Sequence, residues 1–121
     1  MANRLKDKVA LVTGAGSVGP GWGNGKATAV LFAREGAQVI AADINLAAAE
    51  KTSEIIRENG GACSVCQVDV SSSQSVAPMI RTALDTHGRI DVLHNNVGVT
   101  GKIGGPLDIS EEDWEQVFSV N

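Results

Sequence analysis

The chain has 121 residues, is 43% hydrophobic and 20% charged, and carries a formal net charge of −4. That length fits a single domain. The acidic balance argues against a nucleic-acid footprint and a polybasic membrane surface, and no apolar run reaches the roughly 18 residues of a spanning helix. The opening MANRLKDKVALV lacks the layout of a signal peptide, which predicts a cytoplasmic protein.

Apolar runs alternate with helical patterns. KVALVT (8–13) reads as a buried strand. GKATAVLFAREG (25–36) reads as a helix ended by Gly36, with Ala27, Val30, Leu31 and Ala33 on its apolar face. QVIAAD (38–43) is a second strand, and 45–61 is a helix opening on Asn45 and closing at Gly60. CSVCQVDV (63–70) is a third strand. Residues 71–88 form a helix with Ser71 and Gln74 at capping-box spacing. Pro78 should sit near its first turn or kink it. IDVLHNN (90–96) is a fourth strand, 97–108 a glycine-rich loop, and a last helix starts at Ser110. There Asp113 stands at N3, and Ile109 and Trp114 are spaced for a hydrophobic staple. This alternation predicts parallel βαβ units and an α/β fold: one half of a doubly wound sheet plus one further unit.

Cys63 and Cys66 form a C-x-x-C. They could be half a zinc site or a redox pair, or simply two residues on a strand. A structural zinc needs four ligands and no second pair exists, so no metal site is predicted. A thioredoxin-type pair would sit at a helix N-terminus, whereas this one precedes Asp69 on a strand. The strand reading is favoured. His94 inside its strand reads as a packed histidine, and His87 as a surface one.

The segment TGAGSVGPGWGNGKATA (13–29) sits between the first strand and the first helix. A helix N-terminus carries unpaired N–H groups and partial positive charge, and glycines let the backbone approach a pyrophosphate. Gly14, Gly16 and Gly19 spell G-x-G-x-x-G, a weak match in so glycine-rich a loop. The second strand ends in Asp43. A carboxylate there can accept from both adenosine ribose hydroxyls and repels a 2′-phosphate, which predicts NAD rather than NADP.

GRIDVLHNNVGV (88–99) resembles the short-chain dehydrogenase/reductase pattern G-x-h-D-h-h-h-N-N-A-G-h, where h is apolar. His94 and Val97 depart from it. TG at 13–14, DV at 69–70 and VN at 120–121 match further motifs of that family. The resemblance runs from Lys8 onward and is to the family's N-terminal half. It implies a Rossmann-like doubly wound parallel sheet with strand order 3-2-1-4, and an NAD(P)-binding domain over 1–121 that precedes a catalytic half. It implies that Gly14, Gly23 and Gly25 line the pyrophosphate, with Ser17 adding contacts. Asp69 would bond the adenine amino group and Val70 would pack beside the ring. Asn96, Val97 and Gly98 would lie along the cofactor, and Asp91 would be structural. Asn121 would be the active-site asparagine that holds a water in the proton relay. The implied activity is NAD(H)-dependent hydride transfer on a small-molecule alcohol/carbonyl pair by a homo-oligomer.

The family spaces its loop glycines G-x-x-x-G-x-G, which makes VGPGW (18–22) an insertion. A longer loop resembles the enoyl-acyl carrier protein reductase branch, but that branch lacks Asn-Asn-x-Gly, so the main branch is favoured. The family's catalytic tyrosine has no counterpart, because the sequence holds no tyrosine. Two explanations follow: a piece of a longer enzyme, or a complete dinucleotide-binding module without chemistry. Ending one residue into a motif favours the first. These 121 residues alone are expected to be inactive, and to expose an apolar edge that makes them unstable or prone to aggregate.

Overall fold

The computed structural model describes residues 3–101 and 104–121. The predicted loop 97–108 therefore includes two residues, 102 and 103, that lie outside the described residues. The elements run β1 (Val9–Thr13), α1 (Asn24–Arg34), β2 (Gln38–Asp43), α2 (Leu46–Glu58), β3 (Ala62–Gln67), α3 (Ser73–His87), β4 (Val92–Asn95) and α4 (Glu111–Val120). The four strands form one parallel sheet in the order β3-β2-β1-β4, the order that the family resemblance implies.

Side-chain parity divides the sheet into two cores. Ala10, Val12, Val39, Ala41 and Cys63 face α1 and α2, meeting Ala29, Val30, Ala33, Ala49 and Ile56. Val9, Leu11, Ile40 and Ala42 face the other way, with Val68 and with Met79 and Ala83 of α3. β1 is buried along its whole length, as a central parallel strand covered on both faces must be. Full burial of a side chain such as Leu11 contributes about 1.5–3 kcal/mol. β4 alternates between half-buried and exposed and stands at one end of the sheet, with Leu93 exposed. α4 has no buried residue, and its Trp114 and Phe118 rings pack on each other at 4.7 Å.

Asp91 locks the entrance of β4. Its Oδ2 accepts from Val9 N at 2.8 Å and from Arg89 Nε at 2.9 Å. These bonds, Val9 first, hold the carboxyl below the usual aspartate range. The structural role implied for Asp91 is what the geometry displays.

The cysteine pair resolves by parity. Three residues apart on a strand, Cys63 and Cys66 point to opposite faces: Cys63 joins one core and Cys66 packs against the other. Both are free, and among the described residues no group of three His, Cys, Asp or Glu side chains could hold a metal ion. His94 packs edge-on against Phe32 at 6.1 Å.

Other expectations need correction. Ser71 does not cap α3; the N-cap is Ser72. Ser71 gives both its N–H and its hydroxyl to Asp69 Oδ1, and this tight Asx turn holds Ser71 one residue outside the helix. β3 ends at Gln67, so Val68, Asp69 and Val70 leave the sheet. Pro78 lies well inside α3, which runs on through it. The predicted caps at the other helices hold: Asn45 Oδ1 accepts from Ala48 N at 3.2 Å, and Ser110 Oγ from Asp113 N at 3.1 Å. Among the described residues no helix is long and apolar enough to cross a membrane.

Candidate functional site

The carboxyl ends of β1, β2 and β4 lie together at one edge of the sheet, with Thr13 in register with both Ala42 and Asn95. Strand order reverses between β1 and β4, and an open parallel sheet has its crevice at such a point. A cleft of about 460 Å³ opens there.

The glycine loop forms its floor. Gly14 follows β1 at φ +68°, and an added Cβ on Gly25 would stand 1.9 Å from Gly14 O. Only a side chain of hydrogen lets the first turn of α1 come so close. Asn96, just past β4, donates from Nδ2 to Gly14 O at 3.3 Å. Thus the ends of two strands and the start of α1 meet at one point, and Gly14, Gly25 and Asn96 all line the cleft.

Ser17 and Gly23 close the next ring. Ser17 Oγ accepts from Gly23 N at 3.1 Å, and Gly23 is the N-cap of α1. Residues 18–22 are exposed, and Val18 among them lines the cleft. Gly19 and Gly21 have open space around them, and neither lines the cleft, whereas Gly14, Ser17, Gly23 and Gly25 do. Gly19, the last glycine of the G-x-G-x-x-G match, lies outside the lining of this cleft. At the start of α1 the N–H groups of the first turn have no helical acceptor, which makes this end a seat for negative charge.

Asp43 ends β2 on the cleft wall. Its Oδ2 accepts from Gly16 N at 2.9 Å and its Oδ1 from Asn45 N at 2.9 Å. Each oxygen keeps a second lone pair for a donor in the cleft, such as a vicinal diol. Next along the wall come Val68, Asp69 and Val70. Val68 N donates to Asp43 O at 3.0 Å, which carries the chain past the end of β3. The Ser71 hydroxyl at 2.6 Å and the Ser71 N–H at 3.0 Å hold the Asp69 carboxyl below its usual range. Both Ser71 bonds go to Oδ1, and among the described residues Oδ2 of Asp69 accepts no hydrogen bond, so an ionised acceptor remains for an amino group.

Asn96, Val97 and Gly98 form the opposite lip. Asn121 stands behind that lip rather than in the cleft lining. Its Oδ1 accepts from Val99 N and its Nδ2 donates to Val99 O, both at 2.9 Å. It therefore pins the loop after β4 to the end of α4.

The cleft also takes in residues to which the sequence assigns no cofactor role. Ile44 follows Asp43 and adds an apolar wall, while Val99, Gln116 and Val120 bring α4 and its loop to the site. Ile44 could have been suspected from its place beside the strand-end acid. Nothing local marks Gln116, and the VN motif marks Val120 without placing it in the cleft, because their arrival depends on how α4 returns to the sheet.

Residues 8–121 match the short chain dehydrogenase family. The chain belongs to that family, and its curated relatives are oxidoreductases. It is 36% identical over 121 residues to the cyclohexanol dehydrogenase of Acinetobacter sp. (strain SE19), covering 100% of this chain and 46% of that protein. It is 35% identical over 118 residues to the 7alpha-hydroxysteroid dehydrogenase of Escherichia coli (strain K12), covering 98% and 44% respectively. A crystal structure from Burkholderia xenovorans, assigned to the short-chain dehydrogenase/reductases, superposes with a TM-score of 0.93 at 48% identity, covering 98% of this chain and 46% of that one. The chain spans about half the length of the relatives it matches.

Proposed function

We propose that residues 1–121 are the cofactor-binding domain of an NAD(H)-dependent oxidoreductase acting on an alcohol/carbonyl pair. The observation that carries this reading is the Asp43 carboxylate. It is fixed by two backbone N–H groups on the wall of a cleft whose floor is a helix N-terminus.

The residues fit a dinucleotide. The first turn of α1, with Gly23 and Gly25, and the hydroxyl proton of Ser17 would hold the pyrophosphate. Asp43 would accept from the adenosine ribose hydroxyls, and its charge disfavours a 2′-phosphate. Asp69 would take the adenine amino group, with Ile44, Val68 and Val70 giving an apolar slot for the ring. Asn96, Val97 and Gly98 would orient the inner ribose. When bound, the nicotinamide supplies hydride exchange with a carbon centre.

The chain's own residues bind and orient, and Asn121 positions the Val99 loop at the nicotinamide end. In the active enzyme Asn121 is proposed to hold a water of the proton relay with the hydrogen-bonding capacity that Val99 leaves free. The relatives act on chemically different alcohols, so the substrate is proposed only as a small-molecule alcohol or carbonyl. A cytoplasmic homo-oligomer is the setting that accords with the family.

Titration with NADH, followed by the rise in nicotinamide fluorescence, tests the reading. Saturable binding competed by NAD is expected. A protein that is folded by circular dichroism yet leaves NADH fluorescence unchanged overturns it.

A further inference from the structure

The peptide unit between Ala15 and Gly16 is held at both ends. Its carbonyl, Ala15 O, accepts from the Thr52 hydroxyl of α2 at 2.8 Å. Its N–H, on Gly16, donates to Asp43 Oδ2 at 2.9 Å. In a trans peptide the C=O and N–H point in opposite directions, so fixing one aims the other. The N–H of Ala15 adds a third tie, to Ala42 O at 3.1 Å.

The Thr52 bond is shut away from water. Ala15 and Thr52 are both fully buried. Gly16 lies directly against α2, where an added Cβ would stand 2.4 Å from Ala48 Cβ. Ala48 is one turn before Thr52, on the same face of that helix. The Thr52 proton has a second acceptor in Ala48 O, but at 3.4 Å that bond is the weaker of the two. Among the described residues no other group donates to Ala15 O.

We infer that Thr52 is a positioning residue for cofactor selection: through the Ala15–Gly16 peptide it holds the Asp43 carboxylate on the cleft wall. Without the hydroxyl, Ala15 O would be buried and unpaired, and the peptide would turn to find another donor. That turn carries the Gly16 N–H off Asp43. Oδ1 keeps its bond from Asn45 N, so the carboxylate swings on one tether. The link to selectivity rests on the reading of Asp43 as the ribose acceptor; the clamp on the carboxylate does not need it.

The test compares wild type with Thr52→Val, which lacks the donor, and Thr52→Ser, which keeps it. Two quantities are read: the NMR shift of the Gly16 amide proton in the free protein, and the ratio of the NADH and NADPH Kd values. In Thr52→Val the Gly16 proton should move upfield while that of Asn45 stays, and the preference for NADH should shrink about fivefold. Thr52→Ser should restore both. In an Asp43→Ala background Thr52→Val should leave the ratio unchanged, because the two act as one unit. A Gly16 proton that stays in place, or equal loss of both dinucleotides at a constant ratio, overturns the inference, the second because a purely structural role acts on both alike. If Thr52→Val does not fold, Thr52→Ser decides: wild-type values uphold the inference, and a displaced Gly16 proton or altered ratio overturns it. If Asp43→Ala keeps the wild-type ratio, or wild type binds neither dinucleotide, the cofactor reading of Asp43 fails and the selectivity role falls with it. The Gly16 proton then decides the clamp alone.

Discussion

Asp43 and Gly16 are joined by a 2.9 Å hydrogen bond from backbone N–H to carboxylate, across 27 residues of sequence. The bond ties the end of β2 to the glycine loop that follows β1. It also aims the carboxylate along the cleft wall, where a cofactor ribose would lie. Replacing Asp43 with alanine removes both the acceptor and the negative charge. NADH affinity should fall about tenfold, and the preference for NADH over NADPH should shrink by at least as much. Paired Kd measurements on wild type and Asp43→Ala decide this; an unchanged ratio would remove Asp43 from cofactor discrimination.

Gly25 and Gly23 should respond differently to alanine. At Gly25 a Cβ would stand 1.9 Å from Gly14 O and 2.6 Å from Asn96 Nδ2. Backbone cannot yield as a side chain can, so Gly25→Ala should cost about 3 kcal/mol or more of stability. At Gly23 the nearest atom is Ser17 Oγ at 4.0 Å, and the cost should stay below about 1 kcal/mol, mostly at the N-cap. Urea denaturation of the two variants measures both. A Gly23→Ala loss as large as that of Gly25→Ala would contradict the packing account.

Asp91 sets part of the acid limb. Its folded-state pKa lies below the ordinary value of 3.8 because the Val9 N–H and the Arg89 guanidinium favour the carboxylate. A depressed pKa means that the native state binds fewer protons than the unfolded state in that window. Its contribution is therefore present above the ordinary aspartate pKa, and is lost as pH falls through the lower, folded value. The urea midpoint of the wild type should decline more steeply below pH 3.8 than that of Asp91→Asn, which is weaker at neutral pH. Parallel curves for the two proteins would show that Asp91 contributes nothing to the acid response.

The two cysteines face opposite sides of the sheet, which forbids a bridge between them without unfolding. Burial pushes both thiols above their ordinary pKa, and Cys63 is the more buried. Mild oxidation should give no internal disulfide. N-ethylmaleimide should label Cys66 before Cys63, as read by peptide mass spectrometry. Equal labelling rates in the native protein would place Cys63 at the surface.

The βαβ alternation, the strand-end acid and the glycine loop were legible because each rests on local rules, whereas the order β3-β2-β1-β4 was implied by the family resemblance. Apolar runs of strand length alternate with helical periodicity, right-handed crossovers leave few topologies, and a glycine loop between strand and helix has one main use. The sequence by itself therefore determined the α/β fold class and the place of Asp43 at the end of the second strand. Only the tertiary structure decided that Gly25 serves a contact with Gly14 O, that Ser71 is spent on Asp69, that Asn121 clasps Val99, and that Thr52 holds Ala15 O. Most of these contacts join residues that no helical or strand period relates. A hydrogen bond of 22 or 27 residues' separation leaves no trace in local propensity; it exists because packing two helices and a sheet edge brings those atoms together.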